Sequence, residues 1–178
     1  TREVTFSKHL WIEADDFMES PIPKYFRLFP GNEVRLKGAY VIKCTGCVKD
    51  DEGNVIEVLA EYDPDSKGGN TADGRKVKST IHWVDAATAV DAEVRLYSNL
   101  FADADPDGGD KDFLECLADN SLETLQNCKL EAALANAEAP ASYQFMRLGY
   151  FCVDNKDSKP GHLVFNRSVS LKDSFKAK

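Results

Sequence analysis

The sequence predicts an all-β fold built from two packed β units. Three observations carry that prediction. Short runs of alternating apolar and polar residues recur along the 178 positions, with the two-residue period of a half-buried strand. Clusters of Gly, Pro, Asp and Asn separate those runs. Helical patterning is confined to isolated turns. Many short strands with long loops form a barrel or a sandwich. The small, irregular stretch DAATAVDA (85–92) has similar strand–turn–strand blocks on either side, so it reads as the joint between two units.

Residues 5–13 (TFSKHLWIE) alternate as a strand. Residues 15–26 form a connector with a weak helical turn, broken by Pro21 and Pro23. Residues 33–49 read as one long strand or two, bent at Gly38 or Gly46. DDEGN (50–54) is a turn, and 55–62 returns as its hairpin partner. A polar loop fills 63–74, and RKVKSTIHWV (75–84) is again a strand. Beyond the joint, 93–101 is a strand and ADADPDGGDKD (102–112) an acidic loop. Residues 113–118 suggest a helical turn or two. Residues 121–134 suggest a strand with an Ala-rich end that leans helical. YQFMRLGYFCVD (143–154) is an aromatic-rich strand, 155–161 a turn, 163–171 the last strand and 172–178 a tail.

The composition, 43% hydrophobic and 29% charged, is that of an ordinary globular protein. No run approaches the roughly 20 apolar residues that span a bilayer, so no membrane partner is expected. The first residues hold no secretory core, which points to the cytoplasm. They open in mid-strand without an initiator Met, which suggests a fragment of a longer protein. Five Cys cannot all pair within the chain. Cys44 and Cys47 (CTGC) resemble half a zinc site, but residues three apart on a strand face opposite sides. Reduced thiols and no metal are therefore expected.

With 22 Lys+Arg against 30 Asp+Glu, the net charge of −8 argues against a general nucleic-acid coat. A local basic patch is still allowed, because screening acts beyond about 8–10 Å. No catalytic set is visible. His9, His82 and His162 lie in different segments, and the chain lacks GxSxG, HExxH and a phosphate loop. The acidic loops lack the Ca²⁺-loop spacing.

Binding chemistry is more visible. Arg35 and Lys37 share one strand face, with Val34 and Leu36 on the other. Arg75, Lys76 and Lys78 lead into IHWV, Tyr25 and Arg27 precede PGNEVRLK, and Gln144 and Arg147 lie in YQFMR. Arg forks, an amide and aromatic faces are the ingredients of single-stranded RNA recognition. The wet face of an ordinary sheet would show the same alternation.

KYFRLFPGNEVRLKGAYVIKC, ADGRKVKSTIHWVDAATAVDAEVRLYSNLF, YQFMRLGYFCVDN and LVFNRSVSLKD together resemble the C-terminal anticodon-binding region of the bacterial glutaminyl-tRNA synthetases. The resemblance covers the whole chain, weakest in the acidic loops and over 117–141. It implies two β-barrels: a distal one (16–90) inserted into a proximal one (1–15 with 91–178). It implies an upstream catalytic domain using ATP and Mg, with no cofactor in this portion. It implies tRNA-Gln and the protein's own catalytic domain as partners, and a monomer.

By the same resemblance, Arg35 and Lys37 meet the first anticodon base, Gln144 and Arg147 read the middle U, and Arg27 meets the third base. Three positions depart from the family pattern: Lys37 stands for Arg, Lys24 for Gln and Phe26 for Lys. Tyr25, Lys24, Lys76 and Lys78 are further stacking or phosphate contacts. Two rivals are the related eukaryotic/archaeal-type glutamyl-tRNA synthetase region and a β module with no RNA role.

Overall fold

The computed structural model describes residues 2–108 and 111–171. The chain divides into two compact units, Thr1–Ala87 and Thr88–Lys178. The structure is all-β: among the described residues, 310 turns of three or four residues are its only helical elements. Among the described residues no helix is long and apolar enough to cross a membrane. Among the described residues no sheet closes into a barrel. The expected tail, 172–178, lies outside the described residues.

The first unit holds β1 (Leu10–Ile12), β2 (Glu33–Leu36), β3 (Val41–Lys49), β4 (Val55–Asp63), β5 (Thr80–Ile81) and β6 (Trp83–Asp85). Strands β4-β3-β2-β5 form one sheet and β1-β6 another. Residues 33–49 are two strands: Gly38, at φ 71°, makes the turn between them. Gly46 instead follows a bulge in β3, where the register jumps from Cys44↔Ala60 to Gly46↔Leu59. The hairpin over 50–54 forms as expected, with the Asp50 carboxylate accepting the Asn54 N–H at 2.7 Å.

RKVKSTIHWV does not form one strand. Its Thr80–Ile81 end pairs in parallel with β2, while Trp83–Asp85 pairs with β1. A chain that changes partners at His82 cannot keep one ladder. Only Leu10–Ile12 of the expected first strand is laddered. The segment before it is tied down by side chains. Phe6 packs 5.0 Å from Tyr40 and 5.4 Å from Trp83, centroid to centroid, and Ser7 donates to the buried Asp85 carboxylate. Leu28, Val34, Leu36, Ile42, Cys44, Ile81 and Trp83 make the core.

The second unit holds β7 (Val90–Tyr97), β8 (Leu122–Leu130), β9 (Ser142–Phe145), β10 (Gly149–Val153) and β11 (Leu163–Ser170), in the order β8-β7-β11-β10-β9. The expected aromatic strand over 143–154 is a hairpin. Met146, Arg147 and Leu148 turn the chain, and Gln144 faces Tyr150 across the ladder. Phe145 stacks on Phe151 at 4.3 Å inside the core. The 155–161 turn is fastened by charge. Arg95 of β7 pairs with Glu93 at 2.6 Å and Asp157 at 2.7 Å. Asp154 accepts the side-chain amide of Asn166 at 2.6 Å.

Candidate nucleic-acid interface

The first basic cluster centres on Arg27. Segments 13–18 and 25–29 run side by side: Phe17 bridges Leu28, and the Leu28 N–H donates to the Asp16 carbonyl at 2.9 Å. That pairing buries the Asp16 side chain completely. A buried carboxylate needs a partner, and Arg27 supplies it: Nη1 lies 3.0 Å from Asp16 Oδ1 and also donates to the Asp15 carbonyl at 3.1 Å. The Tyr25 hydroxyl donates to the same carbonyl at 3.0 Å, and Asn32 Nδ2 donates to the Arg27 carbonyl at 2.7 Å. One edge of the guanidinium is thus fixed by protein. The rest of the side chain is open to solvent, 40% exposed.

A cavity of about 570 Å³ opens beside this arginine, lined by Asp15, Phe17, Lys24, Tyr25, Phe26, Arg27 and Ser79 among others. Lys24 stands in a β-turn closed by Tyr25 N–H to the Ile22 carbonyl at 3.1 Å, at φ 70°. Pro23 precedes it, as at the second position of a type II turn, so Lys24 occupies the position that normally demands Gly. Phe26 is 53% exposed on the cavity rim, and Lys78 Nζ sits 5.4 Å from its ring centroid.

The second cluster centres on Arg35. The alternation expected from NEVRLK holds within β2: Val34 and Leu36 are fully buried, while Arg35 is half-buried. Lys37, however, lies beyond the strand, in the turn closed by Ala39 N–H to the Leu36 carbonyl at 3.0 Å. It does not share a strand face with Arg35. Its backbone is pinned on both sides, by its own N–H to the Ile81 carbonyl at 3.0 Å and by Trp83 Nε1 to its carbonyl at 3.1 Å. Its side chain is exposed. Arg35 donates from Nε to the Gly69 carbonyl and from Nη1 to the Val77 carbonyl and Thr80 Oγ1, each at 3.4 Å.

The 63–79 loop that receives Arg35 is itself tied together. Arg75 pairs with Glu33 at 2.9 Å, Asp63 at 2.7 Å and Asp73 at 3.0 Å. Its hydrogen bonds to Glu33 first, then to Asp63 and Asp73, push its pKa up. The sequence pattern groups Arg75 with Lys76 and Lys78 as a basic run. In the structure its charge is spent on three carboxylates, while Lys76 and Lys78 remain exposed.

In the second unit, Gln144 stands on the exposed side of β9, and Arg147 is exposed at the hairpin tip. The turn is closed by Leu148 N–H to the Phe145 carbonyl at 3.0 Å, and Arg147 takes φ 69° within it. Like Lys24, it is a cation at a position that favours Gly. Tyr150, 46% exposed, is the cross-strand neighbour of Gln144. The sequence reading did not single it out. The signal was Gly149, which marks a hairpin that folds Tyr150 back beside Gln144. Asp16 and Trp83 were missed as well; their roles depend on partners far along the chain.

No group of three or more His, Cys, Asp or Glu that could hold a metal occurs among the described residues. The bulge in β3 overturns the expectation that Cys44 and Cys47 face opposite sides. Opposite Ala60 and Val58 respectively, the two cysteines share one face. Burial pushes the Cys44 thiol pKa up, which keeps it protonated.

Two family models match the chain, over residues 1–63 and 80–154, both described as "tRNA synthetases class I (E and Q), anti-codon binding domain". A glutamine–tRNA ligase of Bordetella avium is 60% identical over 177 residues, covering 99% of this chain and 30% of that protein. One from Clostridium kluyveri is 53% identical over 98% of this chain and 32% of the relative. One from Bradyrhizobium diazoefficiens is 50% identical over 98% and 31% respectively. The chain therefore spans about a third of the length of these curated relatives.

Proposed function

The chain belongs to the class I (E and Q) tRNA-synthetase anticodon-binding family, and from that premise we propose that it recognises the anticodon of tRNA-Gln within a glutamine–tRNA ligase. The observation that carries this reading is the Arg27 cluster. An acidic chain places a guanidinium on the wall of a cavity, fixes one edge with a buried carboxylate and leaves the side chain 40% exposed. That arrangement suits an unstacked base better than a wet sheet face, because an unpaired base exposes its whole hydrogen-bonding edge.

In this reading Arg27 meets the third base, G, whose O6 and N7 suit an Arg fork. Arg35 and Lys37 meet the first base. Gln144 and Arg147 read the middle U. A base that leaves a pocket donor unsatisfied pays the desolvation of that donor, which is the source of specificity. Lys24, Tyr25, Lys76 and Lys78 add stacking or phosphate contacts.

The longer protein would carry the ATP- and Mg-dependent joining of glutamine to tRNA in a separate catalytic domain, acting in the cytoplasm as a monomer. The sheets would form two barrels there. The division into 16–90 and 1–15 with 91–178 is a proposal about that longer protein; in this chain Leu10–Ile12 pairs with Trp83–Asp85.

The test compares binding of this chain to tRNA-Gln and to the same tRNA with its middle U replaced. Weaker binding of the altered tRNA, abolished by Gln144→Ala, is expected. Equal affinities would overturn base-specific reading. The relatives just named are glutamine enzymes, which favours that amino acid over glutamate. Charging assays on the longer protein discriminate the two.

A further inference from the structure

We propose that Phe26 is a base-stacking platform, its ring capped on one side by Lys78, which takes one nucleobase of a single-stranded RNA beside Arg27. The inference rests on the anticodon reading above and adds to it a residue to which that reading gives no role.

The neighbouring aromatic residues have structural work. The Tyr25 ring tilts toward Phe29 at 6.5 Å, and its hydroxyl is bonded to the Asp15 carbonyl. Phe26, between Tyr25 and Arg27, belongs to no core cluster and is 53% exposed. A single exposed apolar ring is unremarkable by itself. Two further facts give this one a role. It lines the rim of the cavity that Arg27 borders, and a lysine ammonium sits over its ring at 5.4 Å.

A cation over a ring is attracted to the negative charge of the π face. Lys78 occupies one side, so a planar ligand has the other. The cavity, about 570 Å³, is within the range of about 300–1,000 Å³ that holds one small ligand. A duplex cannot present a base face there, because its bases are stacked on each other; an unstacked base can. The same nucleotide brings a phosphate, for which the Lys78 ammonium is the nearby counter-charge. An acidic peptide would use the ammonium but would gain little from the ring.

The test uses Phe26→Leu, Phe26→Tyr and Lys78→Met, with the anticodon stem-loop of tRNA-Gln and the same RNA made abasic at the third anticodon position. Phe26→Leu is expected to weaken binding of the intact stem-loop by about 5- to 30-fold. It should leave binding of the abasic RNA unchanged, and Phe26→Tyr should restore affinity. Lys78→Met should weaken both RNAs and flatten the salt dependence of binding. 2-Aminopurine at the third position should be quenched on binding to the parent and less so with Phe26→Leu. If Phe26→Leu binds intact RNA like the parent while Gln144→Ala weakens it, the platform is overturned and the anticodon reading stands. If neither variant changes affinity and a changed middle U goes unnoticed, both fall. An equal loss on intact and abasic RNA would also overturn the platform, since the ring would then not be touching that base.

Discussion

Arg35 donates from Nε to the carbonyl of Gly69, and its stem crosses that glycine so closely that a Cβ there would lie 2.5 Å from Arg35 Cδ. Gly69 also has φ +91°, a conformation L side chains rarely adopt. Two independent physical demands thus converge on one residue, and both position the side chain proposed to meet the first base. Gly69→Ala is expected to cost about 1–3 kcal/mol in urea denaturation. It should also change discrimination at the first anticodon base, through the displaced Arg35.

Asp16 and Arg27 form the cluster's fixed edge, and removing either should expose the other's cost. Arg27→Met leaves a fully buried carboxylate without its 3.0 Å partner. A loss of about 2–4 kcal/mol is expected, somewhat below that of a wholly buried pair because Arg27 is partly exposed. Asp16→Asn with Arg27→Met should recover part of it. A double-mutant cycle that gives additive losses would show that the pair is not coupled.

Lys24 separates stability from binding. Its φ of 70° costs an L-residue about 1–2 kcal/mol, and Gly would remove that strain. The added freedom of Gly in the unfolded chain takes back about 0.4–1 kcal/mol. Lys24→Gly should therefore leave the urea midpoint unchanged or slightly raised, while affinity for the tRNA-Gln stem-loop falls.

Trp83 holds Lys37 through one hydrogen bond, from Nε1 to the Lys37 carbonyl at 3.1 Å. Trp83→Phe keeps an aromatic ring in the core and removes that donor. A loss of about 1–2 kcal/mol is expected from the missing bond and the smaller ring, measured by thermal or urea unfolding.

Asp154 contributes to the acid sensitivity of the second unit. The Asp157 N–H, then the Asn166 amide and the Lys156 N–H, stabilise its charged form and hold its pKa down to about 2, from 3.8. A depressed carboxylate contributes stability in full above its unfolded pKa and loses it as pH falls through the folded value. The stability difference between the parent and Asp154→Asn should be constant above about pH 5. It should shrink as pH falls from near 4 to near 2. A difference that grows on acidification would reverse the assignment.

The sequence by itself determined the β class, the hairpin at DDEGN, and the family through long segments such as GRKVKSTIHWV and YQFMRLGYFCVD. It also showed that Val34 and Leu36 would be buried, because strand alternation is a local rule. The tertiary structure alone decided which cations stay available. Arg75 and Lys78 look alike in RKVK, yet the first is consumed by Glu33, Asp63 and Asp73 and the second sits over Phe26. It decided that Lys37 leaves the strand, that 143–154 folds back to set Tyr150 beside Gln144, and that a bulge turns Cys47 to the face of Cys44. The reason is common to all of these. A strand's period is written in neighbouring residues, whereas the partner of a charge, a turn's exit and a register jump depend on residues far along the chain.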